Sequence, residues 1–387
     1  MVLDPQLFTM PRNLLLLSLL LPAVIASAAP ADFATKAHRV HIATVTDGLE
    51  HPWGLAFLPD GRMLVTERPG RLRVVGRDGR LDPAPVAGLP QVDPQGQGGL
   101  LDVALHPRYA SNGWIYWSYA QKDLLRNNGT EVARGKLAGG PGNWRMESVE
   151  VLFRLAPKTG ASQHFGSRIV FDRTGLMYVT LGDRGERDAA QRLGDHRGKI
   201  VRLTDDGKPA PGNPFLAAPG ARPEIFSLGH RNVQGAAIHP VTGALWTNEH
   251  GPQGGDELNV IKAGVNYGWP VITYGVNYVI GTKIGEGTEK PGMAQPVKYW
   301  TPSPALSGLA FYEGDRFPNW RGHVLMGSLR AGALIRVRLD GERFVEDELM
   351  LKGELPRVRD VRVGPDGFVY LLTDASRGAI LRLEPSD

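Results

Sequence analysis

One sequence pattern recurs six times along this chain, and it constrains the fold more than any other feature. Each copy has an alternating apolar strand, a tight turn and a second alternating strand, as in LAFLPDGRMLV, where Pro, Asp and Gly supply the backbone angles that a hairpin needs. The copies begin at Trp53, Gly99, Ser167, Gln234, Ser307 and Arg359. Their spacing of roughly fifty to seventy residues exceeds one hairpin and suits a four-stranded blade. The sequence therefore predicts an all-β fold, a six-bladed β-propeller of four-stranded antiparallel blades.

Composition and the first strand agree with a closed ring of blades. The 49 glycines and 30 prolines among 387 residues suit many short strands joined by tight turns. A β-sandwich is the alternative, but a sandwich would not normally repeat the same hairpin phrase six times. The strand over residues 41–45 is expected to pair with the last blade and to close the ring.

The N-terminus has the pattern of a secretory signal. Arg12 precedes an apolar run over residues 14–25, and small residues follow up to Ala28. A membrane anchor is the alternative, but the run is short for a full span. We therefore expect a signal peptide over residues 1–28, a single propeller domain over residues 29–387, and a periplasmic protein without stable membrane insertion.

Several classes of function are disfavoured by composition. The chain has no cysteine, which excludes disulfides, cysteine metal sites and thiol nucleophiles. Its net charge of +4 is spread without any block of like charges, whereas nucleic-acid binding needs a concentrated basic stripe. The histidines lack the close paired spacing of a zinc site.

Polar residues that could carry chemistry cluster at strand ends. In a propeller, residues just before the innermost strands line one mouth of the central channel, so residues far apart in sequence are expected to converge there. The candidates are Gln97, His164, Asp183, Arg231, Asn232, Arg330, Arg357 and Arg359. Taken singly, each has an ordinary explanation: a loop histidine, a turn-stabilising carboxylate or a solvated strand end.

Taken together, these residues form a coherent chemistry. Asp183 could orient His164 and raise its basicity. The four arginines would make a cationic mouth suited to a planar polycarboxylate ligand, because guanidinium groups bind carboxylates through forked hydrogen bonds.

The segment HGPQGGDE offers only oxygen ligands. Gly251 and Pro252 present carbonyls, and Asp256 and Glu257 present carboxylates. Oxygen donors of this kind favour calcium over zinc or copper.

Seven motifs, in order between Leu49 and Leu383, match one known family. They are GQGGLLDVALHP, QHFGSR, LGDRG, LGHRNVQG, EHGPQGGDELN, NYGWP and RVRDVRVGPDG. The chain resembles the soluble pyrroloquinoline quinone (PQQ)-dependent sugar dehydrogenases, most closely the periplasmic aldose sugar dehydrogenases. The resemblance implies an exported quinoprotein of broad substrate range that oxidises aldoses at C1 to lactones, with hydride transfer to calcium-bound PQQ.

The resemblance also implies roles for single residues. His164 is similar to the family's catalytic base, which takes the anomeric proton as hydride leaves C1 for quinone C5. Asp183 is similar to the carboxylate that holds this histidine. Arg231 is similar to the cation at the reacting quinone oxygen. The implied cofactor contacts are Gln97, Arg231, Asn232, Arg330, Arg357 and Arg359. Arg330 stands where the glucose-oxidising relatives carry lysine.

Two calcium sites are implied as well. The carbonyls of Gly251 and Pro252 would hold the ion that bridges protein and PQQ, and Glu257 and Tyr267 would belong to a structural site. Expected partners are a small aldose and a quinone or other electron acceptor, with the protein a monomer or weak homodimer. Two other functions compete: a non-catalytic propeller that binds glycans or protein, and a calcium-dependent lactonase, which would need carboxylates or Asn on the channel axis.

Overall fold

A computed structural model describes residues 32–386, and within them 24 strands form six antiparallel sheets. Blade 1 contains β3 (Pro52–Phe57), β4 (Met63–Glu67) and β5 (Arg71–Val75). Blade 2 contains β6 (Leu100–Leu105), β7 (Trp114–Lys122), β8 (Asn128–Ala138) and β9 (Arg145–Arg154). Blade 3 contains β10 (Ile169–Phe171), β11 (Met177–Thr180), β12 (Lys199–Leu203) and β13 (Ile225–Leu228).

The second half of the ring follows the same order. Blade 4 contains β14 (Val233–Ile238), β15 (Leu245–Glu249), β16 (Asp256–Ile261) and β17 (Lys298–Trp300). Blade 5 contains β18 (Leu306–Phe311), β19 (Val324–Ser328), β20 (Ala333–Asp340) and β21 (Arg343–Met350). Blade 6 contains β22 (Val358–Val363), β23 (Val369–Thr373), β24 (Gly378–Pro385), β2 (Arg39–Leu49) and β1 (Asp32–Ala34). Helical structure in the described residues is limited to α1 (Tyr109–Asn112) and two 3₁₀ turns (Arg187–Gln191 and Pro318–Trp320).

The six sheets close into a ring. The innermost strands β3, β6, β10, β14, β18 and β22 each contact the innermost strand of the next blade, and β22 contacts β3. The predicted closure is confirmed, because β2 pairs antiparallel with β24 and sets Ile42 opposite Leu383. The predicted six-bladed propeller is therefore confirmed.

Two blades depart from the predicted four strands. Blade 1 has three, and its outer edge is met by a single bridge between Val75 and Leu81. The residues beyond this bridge include Pro83 and Pro85, which lack the backbone N–H that a continuous ladder needs. Blade 6 has five strands, because the short β1 adds outside β2.

The hydrophobic core lies between neighbouring blades. Trp246 and Leu258 of blade 4, for example, pack with Leu309 and Met326 of blade 5, and all four are nearly or fully buried. Alternation along each strand supplies such residues to both faces of a sheet, so each blade buries apolar side chains against both neighbours.

None of the helices in residues 32–386 has the length and apolar character needed to cross a membrane. The predicted signal peptide, residues 1–28, lies outside the described residues and stays a prediction.

A largely buried ion-pair network links the innermost strands of three blades. Arg168, just before β10, contacts Asp102 of β6 and Asp360 of β22, each at 3.0 Å. Arg362 of β22 contacts the same two carboxylates at 3.0 and 2.9 Å. Charges of alternating sign thus join the inner strands of blades 2, 3 and 6.

Asp102→Asn should strongly destabilise the fold. The substitution keeps the shape but leaves Arg168 and Arg362 facing a neutral group, and loss of one partner from a buried ion pair typically costs about 3–5 kcal/mol. Urea unfolding at neutral pH measures the change. Asp340→Asn is the control, because Asp340 pairs with Arg343 at the surface with both side chains more than two-thirds exposed, and such pairs contribute about 0–1 kcal/mol. Equal, small losses in both variants would contradict the structural role of the network.

Candidate active site

Two adjoining cavities open at one mouth of the ring. The first, of about 170 Å³, is termed the arginine cavity, and the second, of about 390 Å³, the histidine cavity. Both are lined by Gln97, Asn232 and His250. The arginine cavity is also lined by Trp53, Arg68, Leu101, Phe165, Gln234, Leu329, Arg357, Arg359 and Asp374. The histidine cavity is also lined by Gln163, His164, Asp183, Arg187, Arg231, Trp269 and Tyr278.

Local strand pairing brings His164 and Asp183 together. His164 precedes β10 and Asp183 follows β11, and these strands are hydrogen-bonded neighbours. A Cβ on Gly182 would lie only 2.0 Å from the carbonyl oxygen of His164, so the glycine permits the close approach of the two loops. His164 itself has a φ of +54°, and its backbone N–H donates to Gln97 Oε1 at 2.8 Å.

The imidazole of His164 is oriented by a buried carboxylate. Its Nδ1 lies 2.7 Å from Asp183 Oδ1, and the Asp183 side chain is essentially fully buried. Asp183 also accepts hydrogen bonds from the Gly185 N–H and from Trp269 Nε1. With Nδ1–H donating to the carboxylate, Nε2 is left as the basic nitrogen, and no described residue hydrogen-bonds to it.

The surroundings keep His164 neutral and Asp183 ionised. Burial lowers the pKa of His164 below its usual value, and the cations Arg231 and Arg184 oppose protonation further, although Asp183 acts the other way. Burial alone would raise the pKa of Asp183, but the hydrogen bonds from His164 and Gly185 and the positive charge of Arg231 help to hold that pKa below its usual range. A neutral imidazole beside an ionised carboxylate can accept a proton at neutral pH.

Arg231 and Asn232 lie close to the boundary between the two cavities. The guanidinium of Arg231 donates to the carbonyl of His250 at 3.1 Å and lies over the Trp269 ring at 5.4 Å. The side-chain oxygen of Asn232 accepts from the Gly166 N–H at 3.2 Å. Both residues are buried, so their positions are set by the scaffold.

The arginine cavity carries excess positive charge. Arg357 and Arg359 both contact one carboxylate oxygen of Asp374, at 3.3 and 2.9 Å, and Arg68 lines the same cavity. Burial alone would raise the pKa of Asp374, but the Arg359 charge and the hydrogen bonds from His51 and Arg359 hold that pKa far below its usual range. The cavity thus has three guanidinium groups and one carboxylate, and this excess of positive charge suits a bound anion with several carboxylates.

The structure does not bring Arg330 to either cavity. Arg330 is exposed and lines a separate groove of about 400 Å³ with Trp300, Pro304 and Lys352. Its neighbour Leu329 lines the arginine cavity instead. Leu329 and Arg330 form the turn that follows β19, and this turn places only Leu329 at the cavity.

The predicted calcium segment folds as a tight, buried loop. The Gly251 N–H and the Leu306 N–H each donate to Asp256 at 3.0 Å, so that carboxylate holds the loop in shape. A Cβ on Gly251 would lie 2.2 Å from the carbonyl oxygen of Gly254, so only glycine fits there. Gly251 and Pro252 are both buried.

A small cavity of about 10 Å³ adjoins this loop, with room for roughly one water-sized sphere. It is lined in part by Gly251, Glu249, Glu257 and Tyr267, and the two glutamates stand directly opposite on β15 and β16. Burial and the nearby Glu249 charge raise the pKa of Glu257 to about 8. The Tyr267 hydroxyl is already engaged by Val260 and Lys262, which leaves its carbonyl oxygen as the available ligand atom.

These donors fit a calcium site in which most of the ligands are carbonyl oxygens. Two opposed carboxylates without a cation between them are unfavourable, and an oxygen-lined space beside them suits a hard cation. Residues 32–386 contain no group of three or more His, Asp or Glu side chains arranged to hold a metal. The backbone carbonyls would therefore have to supply much of the coordination.

Sequence reasoning missed several lining residues. Arg68, Leu329 and Asp374 each follow directly after the second strand of a blade, β4, β19 and β23 respectively. The position directly after the second strand of a blade could therefore have been used to predict residues that line the cavity. Trp269, by contrast, comes from the long connection between β16 and β17, where no repeat fixes the residue positions.

Comparison with known proteins agrees with the sequence motifs. The family described as glucose/sorbosone dehydrogenase matches residues 49–382. The aldose sugar dehydrogenase of Escherichia coli K12 is 45% identical over 349 residues, covering 89% of this chain and 93% of that protein. Quinoprotein glucose dehydrogenase B of Acinetobacter calcoaceticus is 28% identical over 432 residues, covering 90% of this chain and 88% of that protein.

A solved structure extends the match to the fold. The PQQ-bound aldose sugar dehydrogenase of Streptomyces coelicolor superposes with a TM-score of 0.73 at 32% identity, covering 92% of this chain and all of that one. The resemblance inferred from the seven motifs, to the soluble PQQ-dependent sugar dehydrogenases, is confirmed. The chain belongs to the glucose/sorbosone dehydrogenase family of oxidoreductases.

Proposed function

We propose that this protein is a periplasmic aldose sugar dehydrogenase that oxidises aldoses at C1 to lactones, with PQQ in the arginine cavity and the sugar in the histidine cavity. The observation that carries the proposal is the buried His164–Asp183 pair, whose free Nε2 belongs to the cavity that adjoins a cationic one. When bound, PQQ supplies the acceptor for the hydride that leaves C1.

His164 would act as the general base. Its Nε2 accepts the proton of the anomeric hydroxyl, and Asp183 fixes the tautomer and stabilises the imidazolium that forms. General-base catalysis of this kind is typically worth about 10²–10⁴-fold in rate.

The cations and amides would bind and orient the anionic cofactor. Arg357 and Arg359 offer forked donors for carboxylates, and Gln97 and Asn232 lie on the boundary shared by both cavities. Arg231, close to that boundary, would stabilise negative charge as it develops on the acceptor. The Gly251 and Pro252 carbonyls would hold a calcium ion that contributes Lewis acidity, and Glu257 and Tyr267 would hold a structural one.

The alternative functions account for fewer of these features. A binding module does not need a buried carboxylate that polarises a histidine. A lactonase would need free carboxylates on the axis, but Asp102 and Asp360 are both neutralised by Arg168 and Arg362.

His164→Gln should strongly slow aldose oxidation without preventing cofactor binding. Loss of the base should lower the turnover number by about 10²–10⁴-fold, because the amide cannot accept the anomeric proton. The test uses protein reconstituted with PQQ and calcium, dye reduction for activity and quinone absorbance for binding. His41→Gln, on the outer strand β2, is the matched control and should behave as wild type. Full turnover in His164→Gln would overturn the assignment, and so would no turnover in the wild type once PQQ binding is shown.

Glu257→Gln should weaken a calcium-dependent gain in stability. Calcium that binds only the folded protein raises its melting temperature, and loss of one carboxylate ligand should reduce that rise. Without calcium, the variant should melt no earlier than wild type, because the substitution removes one of two carboxylates that stand opposite each other.

Thermal melts of the apoprotein with and without calcium measure both effects. Glu342→Gln is the control, since Glu342 pairs with Lys262 at the surface. An equal calcium response in Glu257→Gln and Glu342→Gln would place the ion elsewhere.

A further inference from the structure

Trp269 is the part of the NYGWP motif to which the proposed chemistry assigns no role. Its Nε1 donates a hydrogen bond to Asp183 Oδ2 at 2.8 Å, and its side chain is 5% exposed. The residue also lines the histidine cavity. It therefore contacts the carboxylate that orients the proposed base while facing the space proposed for the sugar.

Trp269 is held in place by its backbone and by its ring. The Trp269 backbone N–H donates to the Gly229 carbonyl at 2.9 Å, and the Trp269 carbonyl accepts from Gln191 Nε2 at 2.7 Å. The ring packs with Ala190 and Ile284 in a small buried apolar cluster. A donor fixed in this way can fix its acceptor.

The hydrogen bonds on Asp183 are divided between its two oxygens. Oδ1 receives His164 Nδ1 and the Gly185 N–H, whereas the described hydrogen bond to Oδ2 comes from Trp269. The indole therefore sets the rotation of the carboxylate that keeps Oδ1 aimed at the imidazole. The face of the same indole lies 5.4 Å from the guanidinium of Arg231.

We propose that Trp269 is a positioning residue, which fixes the Asp183 carboxylate and through it the orientation and basicity of His164. The catalytic consequence rests on the proposed function, but the hydrogen-bond geometry does not. No substrate atom needs to touch the indole for this role.

The charged groups around His164 and Asp183 determine in which direction the pKa of His164 should move when the indole N–H is removed. His164 faces Asp183, with Arg231 and Arg184 nearby, and Arg187 lines the same cavity. The indole N–H draws negative charge toward Oδ2. Its removal leaves more charge on Oδ1, which favours the protonated imidazole and raises the pKa of His164.

Trp269→Phe should raise the pKa of His164 by about half to one unit, as loss of one hydrogen bond to a charged group implies. Proton NMR titration of the apoprotein measures it, with the His164 resonance assigned by its absence in His164→Gln. Trp246→Phe is the matched control, because Trp246 is equally buried and its Nε1 has no hydrogen-bond partner in the structure. Asp183→Asn should move the pKa in the opposite direction, since it removes the charge that favours protonation.

In the reconstituted enzyme, Trp269→Phe should lower kcat by roughly 10-fold and move the acid limb of the pH profile to higher pH. If Trp269→Phe does not fold, benzothienylalanine at the same position keeps the ring shape while it removes the N–H, and the same shifts are expected. An unchanged His164 pKa in either folded variant would overturn the proposal. The apoprotein titration requires neither PQQ nor sugar, so its outcome stands even if the reconstituted wild type fails to oxidise aldoses.

Discussion

The pairing of β2 with β24 is the constraint on which the rest of the structure depends. It joins the two ends of the described chain by main-chain hydrogen bonds within blade 6 and so closes the ring of six sheets. Closure aims the corresponding ends of all inner strands at one mouth. Residues as distant in sequence as Gln97 and Asp374 can then line one cavity, and neither needs a long loop to reach it.

Within that mouth, the charged groups are divided by function. The arginine cavity has more guanidinium groups than carboxylates, whereas the histidine cavity has one buried carboxylate that is fully engaged by His164, Gly185 and Trp269. Burying Asp183 would be costly without these donors. Its hydrogen bonds satisfy the carboxylate, and they also keep the imidazole in one orientation with Nε2 unbonded. The interactions that make the site stable are therefore the ones that prepare it for proton transfer.

The sequence was sufficient for the fold because period-two alternation and turn residues are local signals that repeat in every blade. It could not show that Pro83 and Pro85 interrupt the outer edge of blade 1, since strand pairing there depends on which N–H groups meet a partner. The convergence of His164 with Asp183 followed from strand order. Strand order could not show that Arg330 lies away from the mouth, because a one-residue difference decides whether Leu329 or Arg330 faces the channel. Trp269 was not predictable, because long connections carry no periodic signal.

The central claim is that sugar and quinone meet between the histidine and arginine cavities. A crystal structure of the protein with PQQ, calcium and an aldose tests it most directly. The account predicts quinone carboxylates on Arg357 and Arg359, and the anomeric hydroxyl within about 2.6–3.2 Å of His164 Nε2. Quinone bound in the groove beside Arg330, or an anomeric hydroxyl beyond reach of His164, would contradict it.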